Sequence, residues 1–600
     1  MSKPSFAGRS LVRAFTRINR RRPWHRLPLP VALLNIIALR IELRWHNLTD
    51  TRTPDPSTRR GPVTIDQCPH LAGRFRTPDG SYTTLDDPDM GMAGTRFGRN
   101  VALDKAFPEA MPGLMQPNPH TISRTLMRRE TFTPATSLNL LAASWIQFQT
   151  HDWFSHDRDL DVPLELDLPE GHAWHENPMR IPRTRPDDTR VDADAHLPPT
   201  YRNRLTHWWD SSSIYGSSEE QQKRVRTFTD GKLVVQNGRL PLDAATGTAI
   251  TGFSENWWVG LGMLHTLFTL EHNAVCEALK NKHPEMSDDE LFGTGQLVVS
   301  ALIAKIHTVE WTPAIIAHPA LKIGMRANWW GLLGERLHNL VGRVGSNEEI
   351  SGIPGSPADQ HGSPYQLTEE FTAVYRLHPL LPDQLALHSL ADGSLIDTME
   401  MPEIILLNAE KVLSSGVKSG DLFYSFGIAH PGAVCLHNFP AWMQDLTLPD
   451  GVRLDMGAVD IMRDRERGVP RYNEFRRQLH LPAAKSFADL TDNPVWAKEL
   501  EEMYGDVERV DLQIGMHAET PPKGFGFSDT AFRVFILMAS RRIKSDRFLT
   551  DCFTEDYYTK TGMKWIADNT MVTVLKRHHP ELSKVLDGVD NAFAPWKEIA

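Results

Sequence analysis

Glu369-Glu-Phe-Thr-Ala-Val-Tyr375-Arg-Leu-His378-Pro-Leu-Leu-Pro-Asp383 sets a tyrosine three residues before a histidine. The pattern predicts a helix over 366–378, and on a helix that offset puts both side chains on one face, about one turn apart. An imidazole can hold a haem iron from below. A phenol one turn away could trade an electron with that centre and become a radical oxidant. By spacing alone a packed core pair is the plainer reading, so the meaning of Tyr375 and His378 rests on what else the chain carries.

Upstream, Gln147-Phe-Gln-Thr-His151-Asp152 lies in Leu138–Phe154, which is apolar on nearly every face and predicts a buried helix. Gln147 and His151 share one face of it. A buried imidazole needs partners for its nitrogens. One use for it is to handle a proton of a bound oxygen or peroxide, and another is a hydrogen-bonded core position. His156 is a rival, offset from the Gln147 face. Further on, Thr206-His-Trp208-Trp-Asp210-Ser-Ser212 offers a hydroxyl, a backbone carbonyl, a carboxylate and a hydroxyl at alternate positions. Hard oxygen donors at that spacing suit Ca2+, with Asp152 as a further carboxylate. A polar loop with side-chain turn bonding fits the same residues without a metal.

Six hundred residues set a soft prior of roughly four domains, yet no linker divides the chain. Net charge is −10, and only the N-terminus is basic: nine Lys or Arg precede the first acid, Glu42. No nucleic-acid partner is expected from such a balance. Cys68, Cys276, Cys435 and Cys552 are scattered, which argues against a zinc site or a disulfide framework. The apolar run Leu27–Leu39 follows the Arg20-Arg21-Arg22 cluster. It is shorter than the ~20 residues that span a bilayer, and no signal-cleavage pattern follows it. Residues 1–45 therefore read as a basic arm with a short apolar segment, either lying on an anionic membrane surface or forming one core helix. Residues 46–600 read as one catalytic domain.

Most long segments predict helix: 261–280, 401–413, 528–548 and 571–577, and a helix opened by a capping box at Ser287-Asp-Asp-Glu290 that runs to Trp311. A small hairpin is expected around Asn237-Gly238. Residues 160–200 and 344–366 read as long loops. P-loop, GxGxxG, HExxH and GxSxG patterns are absent from the sequence, which argues against common nucleotide, zinc and serine-hydrolase chemistry.

The three constellations occur in an order that resembles the animal-type haem peroxidase and cyclooxygenase superfamily, and more closely the fatty-acid alpha-dioxygenases. The runs that carry the resemblance include Leu140-Leu-Ala-Ala-Ser-Trp-Ile-Gln147 with His151-Asp-Trp, Trp208-Trp-Asp-Ser-Ser with Ile214-Tyr-Gly-Ser217, Ala304-Lys-Ile-His307-Thr-Val-Glu-Trp-Thr312, Met325–Gly334, Phe371–His378 and Asp464–Asn473. They cover roughly residues 25–595. The resemblance implies a mainly α, cyclooxygenase-like helical fold with few short strands. It implies non-covalent haem b and Ca2+ as cofactors, and a long-chain fatty acid and O2 as substrates. Oligomeric state stays open.

Carried over residue by residue, His378 is the proximal iron ligand, His151 the distal histidine, Gln147 a glutamine facing the haem and Tyr375 the radical-forming tyrosine. Asp152, Thr206, Trp208 through its carbonyl, Asp210 and Ser212 match the calcium ligands. Asn438 is assigned to the other nitrogen of His378, orienting it. His307, Thr312 and Arg542 resemble a carboxylate clamp, with Arg541 as the rival for Arg542. A buried acid group needs such a charged partner, and fixing it brings the adjacent carbon up to Tyr375. The implied product is a 2(R)-hydroperoxy fatty acid, which can lose CO2 to an aldehyde one carbon shorter. The alternative is a peroxidase or cyclooxygenase-like oxygenase acting on phenols or polyunsaturated fatty acids. A haem-free binding module on the same fold would need one iron-facing histidine to be missing, and both are present. The expected location is intracellular, cytoplasmic or peripheral to a membrane. The segments 160–200 and 344–366 and the C-terminus depart from the family pattern, which leaves the length and mouth of a tunnel unassigned.

Overall fold

A computed structural model describes residues 5–599, apart from 20, 53–58, 70, 171, 173 and 175. The chain is mainly helical, and the strands among the described residues form three two-stranded antiparallel ribbons. At its centre, the helices Val259–Lys282 and Asp288–Ile306 pack together, and Leu140–Thr150 packs on the first of them. The Ser287/Glu290 capping box forms as the sequence predicts and satisfies two of the amides that a helix start leaves orphaned. Gly295 lets these helices close up: a Cβ there would meet the Cys276 sulfur and the His272 ring at 2.8 Å. Asp288–Ile315 is long and apolar enough to cross a membrane, and it is buried in the protein core.

Several predicted elements take a different form. The helix predicted over 138–154 spans Leu140–Thr150, and His151 continues it with φ −66 and ψ −21. The 401–413 segment is a 3-10 turn, Met401–Glu403, followed by the helix Leu407–Ser414. At Asn237-Gly238 the turn forms, with both residues at positive φ and Gln236 paired to Arg239. The 160–200 segment is not all loop. Arg158–Leu166 pairs with Met179–Thr184, and Leu164, Leu166, Met179 and Ile181 pack on Ala458, Val459 and Met462 of the helix Met456–Glu466.

The N-terminus is built into the molecule. Trp24 is fully buried and its Nε1 donates to Asp529 at 2.9 Å. The helix Leu29–His46 turns Ala32, Ile36, Leu39 and Leu43 inward and packs on Pro319–Trp330 and Asp529–Lys544. Leu29 and Leu34 stay exposed.

Candidate active site

Tyr375 stands in the wall between two cavities. One is a cleft of about 2050 Å³ that it lines together with Gln147, His151, Thr372 and His378. The other holds about 960 Å³ and is walled by His307, Thr312, Ile316, Phe532, Phe535 and the Leu33, Ile36, Ile37 and Arg40 face of the N-terminal helix. The single helix predicted over 366–378 does not form. It spans Glu369–Val374, Tyr375 sits at its C-cap, and His378 opens a separate 3-10 turn. Pro379 contributes, because it has no N–H to give the Tyr375 carbonyl four residues back and its ring would clash with that carbonyl in a continuing helix. Tyr375 is 5% exposed, stacks on Phe535 at 4.2 Å and meets Trp153 edge-on at 5.6 Å. Burial raises its pKa far above that of a free phenol, so it is held protonated.

His378 Nδ1 lies 2.7 Å from Oδ2 of Asp460. With that N–H donated to a carboxylate, Nε2 keeps its lone pair for the cleft. A metal-ligating histidine commonly has this arrangement. The assignment of this role to Asn438 is therefore corrected. Asn438 accepts from Arg129 Nε at 3.0 Å and donates to the carbonyls of Thr133 and Ala433. Sequence reasoning missed Asp460, though it stands one helical turn before Asp464, where the recognised Asp464–Asn473 run begins.

Across the cleft, Gln147 donates to the carbonyl of Asn256. His151 Nε2 is 3.0 Å from Nε2 of His265, and its Nδ1 faces the Glu255 carbonyl at 3.3 Å. Burial draws the His151 pKa down to about 4, so the imidazole is held neutral. His156, the rival, is paired with Glu369 and stacked on Phe97. A histidine with a free Nε2 facing a polar wall of Gln147 and His151, across a cleft otherwise rich in Leu, Met and Trp, fits a haem plane.

His307 and Thr312 come together by an unusual local geometry and both line the second cavity, whereas Arg542 lies behind that lining, against Trp153 and Trp209. His307–Trp311 is a turn of π-helix, which places residues five apart on one face. Thr312 Oγ1 donates to the His307 carbonyl at 2.7 Å. Trp145 Nε1 donates to His307 Nδ1 at 3.2 Å, so the imidazole hydrogen sits on Nε2. Burial and then the charge of Arg542 depress the His307 pKa to about 3, which keeps it a neutral donor. Arg542 is 1% exposed and gives one Nη2 bond to the Trp208 carbonyl at 3.0 Å, while its Nε and Nη1 find no acceptor among the described residues. A buried guanidinium with unspent donors is a site for an anion. Arg541, the rival, points elsewhere. It bonds the carbonyls of Gln360, Ser363 and Pro364 and lies over the Tyr365 ring.

The Thr206–Ser212 loop gathers buried oxygen atoms. Thr206 donates to Asp210 at 2.6 Å, and Ser212 donates to Asp152 at 2.7 Å through its hydroxyl and to Asp210 at 3.2 Å through its amide. Burial first, and the neighbouring Asp210 as well, push the Asp152 carboxyl up to about 7. Two enclosed carboxylates with hydroxyls and a carbonyl beside them are the donor chemistry of a hard cation.

With this geometry in place, comparison with known proteins identifies the class. The animal haem peroxidase family model matches residues 75–589. Alpha-dioxygenase PIOX of Oryza sativa is 37% identical over 99% of this chain and 96% of its own length. Alpha-dioxygenase 1 of Capsicum annuum is 39% identical over 96% of this chain and 89% of its own. Among solved structures, a tyrosine-to-phenylalanine variant of the Oryza sativa fatty acid alpha-dioxygenase, crystallised with palmitic acid, superposes with a TM-score of 0.91 at 36% identity, covering 99% of this chain and 98% of that one. Peroxidase A of Dictyostelium discoideum shares the fold, with a TM-score of 0.69 at 20% identity over 87% of this chain and 99% of that one. The chain belongs to the animal haem peroxidase family and, within it, to the alpha-dioxygenases.

Proposed function

We propose that this protein is a haem-dependent fatty-acid alpha-dioxygenase. It adds O2 to carbon 2 of a long-chain fatty acid and releases a 2(R)-hydroperoxy acid, which can go on to lose CO2 and give an aldehyde one carbon shorter. The observation that carries the reading is the position of Tyr375 in the one wall shared by the His151/His378 cleft and the His307/Thr312 cavity.

His378 would hold haem b in the cleft that Gln147 and His151 also line, and with a peroxide the haem would supply oxidising power there. His151 takes and returns the peroxide proton. Tyr375 gives up one electron and its proton and becomes a phenoxyl radical. The fatty-acid carboxylate is held by Arg542, by His307 Nε2–H and by the Thr312 hydroxyl, which turns from the His307 carbonyl to donate to it, and this presents carbon 2 to Tyr375. Tyr375 takes one hydrogen atom from that carbon, O2 adds to the carbon radical, and the resulting peroxyl group recovers a hydrogen atom from Tyr375. The acyl chain lies along the apolar face of Leu33, Ile36 and Ile37. A peroxidase of small phenols, or an oxygenase that attacks distant double bonds, has no use for a carboxylate clamp beside the tyrosine.

Ca2+ at Asp152, Thr206, Trp208 O, Asp210 and Ser212 is part of the proposal. It offsets the two buried carboxylates and fixes the loop that bonds Arg542 through Trp208. A peripheral lipid contact is also proposed, for a protein that works inside the cell, cytoplasmic or on a membrane face. Leu332, which lines the cavity, is exposed, as are Leu340 and Val341 on the helix Gly334–Val341, and Arg9, Arg13 and Arg17 lie on the helix Phe6–Asn19 that packs on Leu29–His46. Flotation with anionic vesicles tests that contact, and recovery of all protein in the unbound fraction would remove it. The test of the activity is oxygen uptake by the haem-loaded protein with palmitic acid, with product analysis. Absence of uptake with saturated acids, in protein with an intact haem spectrum, would overturn the reading.

A further inference from the structure

Tyr375 has oxidisable neighbours. Its ring meets Trp153 at 5.6 Å between centroids, and Trp153 meets Trp209 at 5.7 Å. Indoles, like phenols, give up an electron readily, so two short steps could drain an oxidised Tyr375 into the protein. One group stands against both steps. The Arg542 guanidinium carbon lies 3.9 Å from the centre of the Trp153 ring and 5.1 Å from that of Trp209. We propose that Arg542, besides holding a carboxylate, confines oxidation to Tyr375 by keeping a fixed positive charge against both indoles. The proposal rests on the reading that Tyr375 carries the radical.

The electrostatics reverse on oxidation. A guanidinium over a neutral indole is attracted by the ring's negative face. Once the indole loses an electron, the same geometry sets two positive charges against each other. Trp153 and Trp209 are both buried, so little water screens them. Written out, the step moves one electron from Trp153 to the Tyr375 phenoxyl and leaves a phenolate and an indole cation radical. The phenolate is itself opposed by the burial that keeps Tyr375 protonated. At Trp209, relief by proton loss is opposed as well. Trp209 Nε1 donates to the weakly basic amide oxygen of Gln149 at 3.0 Å. Hydrogen-atom transfer from carbon 2 of a substrate carries electron and proton together, separates no charge, and meets no such barrier. Arg542 would thereby protect the enzyme in the interval before substrate arrives.

The test uses the haem-loaded enzyme and hydrogen peroxide without fatty acid, read by freeze-quench electron paramagnetic resonance and by mass spectrometry of peptides containing Trp153 and Trp209. Wild type and Arg542→Lys are expected to show a tyrosyl signal and little oxygenated tryptophan. Arg542→Gln is expected to lose that signal several-fold faster and to accumulate several-fold more oxidised Trp153. Trp153→Phe in the Arg542→Gln background should restore the lifetime. A tyrosyl signal of wild-type lifetime in Arg542→Gln, with no added Trp153 oxidation, would overturn the proposal. Should Arg542→Gln fail to fold, Trp153→Phe alone decides: an unchanged tyrosyl lifetime supports the shield, whereas a lengthened one shows that Trp153 already drains Tyr375 and overturns it. If Tyr375→Phe gives the same first radical as wild type, the underlying reading falls and the shield with it.

Discussion

The His378 imidazole donates from Nδ1 to Oδ2 of Asp460 across 2.7 Å, and this bond fixes which nitrogen faces the cleft. Asp460 comes from the helix Met456–Glu466, and Arg376, two residues before His378, is bonded to Asp464 on the same helix. The proximal segment is thus clamped to one helix at two points, one turn apart.

Removing the anionic acceptor should loosen haem. In Asp460→Asn the imidazole is less basic and less firmly oriented, and haem affinity should fall about 10- to 100-fold. Titration of the apoprotein with haem, followed in the Soret band, measures it. Asn438→Ala is expected to act on stability, since its bonds go to Arg129, Thr133 and Ala433.

The two arginines should separate cleanly. Arg542→Gln removes the charge that meets the substrate carboxylate, and charged hydrogen bonds are worth about 1.5–3 kcal/mol, so kcat/KM for palmitic acid should fall about 10- to 100-fold. Arg541→Gln should instead lower Tm, because three carbonyls of the 360–364 segment lose their donor. Steady-state oxygen uptake and a thermal melt on both variants distinguish them.

Chelation should have a pH signature. Burial holds the Asp152 carboxyl near 7 in the folded state, against an ordinary 3.8. A raised carboxyl pKa means that folding is favoured while the group stays protonated, and that stability is lost as pH climbs from the unfolded value toward the folded one. Ca2+ bound to the ionised pair offsets that loss. The Tm gain on adding Ca2+ to chelator-treated protein should therefore be small near pH ~5 and grow toward pH ~7.5. An equal Tm with and without Ca2+ at the higher pH would argue against a metal there.

Chain-length preference should follow the cavity. Each buried CH2 contributes about 0.8 kcal/mol, so longer acids should bind better until the cavity ends. Gly324 lines that cavity, and a Cβ added there meets nothing within 4 Å. Gly324→Leu should keep its Tm yet shift preference toward shorter acids, as read from kcat/KM over a series of saturated chains.

His151, His307, Thr312, Tyr375 and His378 stood out in the sequence because they sit in long collinear runs that resemble one superfamily. What periodicity could not show is how the chain bends between them. The three-residue spacing of Tyr375 and His378 suggested one helix, but Pro379 ends it, and the break lets Tyr375 serve two cavities. His307 and Thr312, five apart, fit no α-helical face, and only a π turn aligns them. The 158–184 hairpin was hidden by Pro163 and Pro182, which interrupt the strand pattern. Asp460 lies 82 residues from His378, and no local pattern marks it as that histidine's partner.

The central claim is that Tyr375, supplied with oxidising power from one cavity, takes hydrogen from a fatty acid held in the other. Oxygen uptake by haem-loaded Tyr375→Phe with palmitic acid tests it most directly. The account predicts that uptake is abolished while haem content and the Soret spectrum stay nearly those of wild type. Full uptake and the same 2-hydroperoxy product from Tyr375→Phe would contradict it.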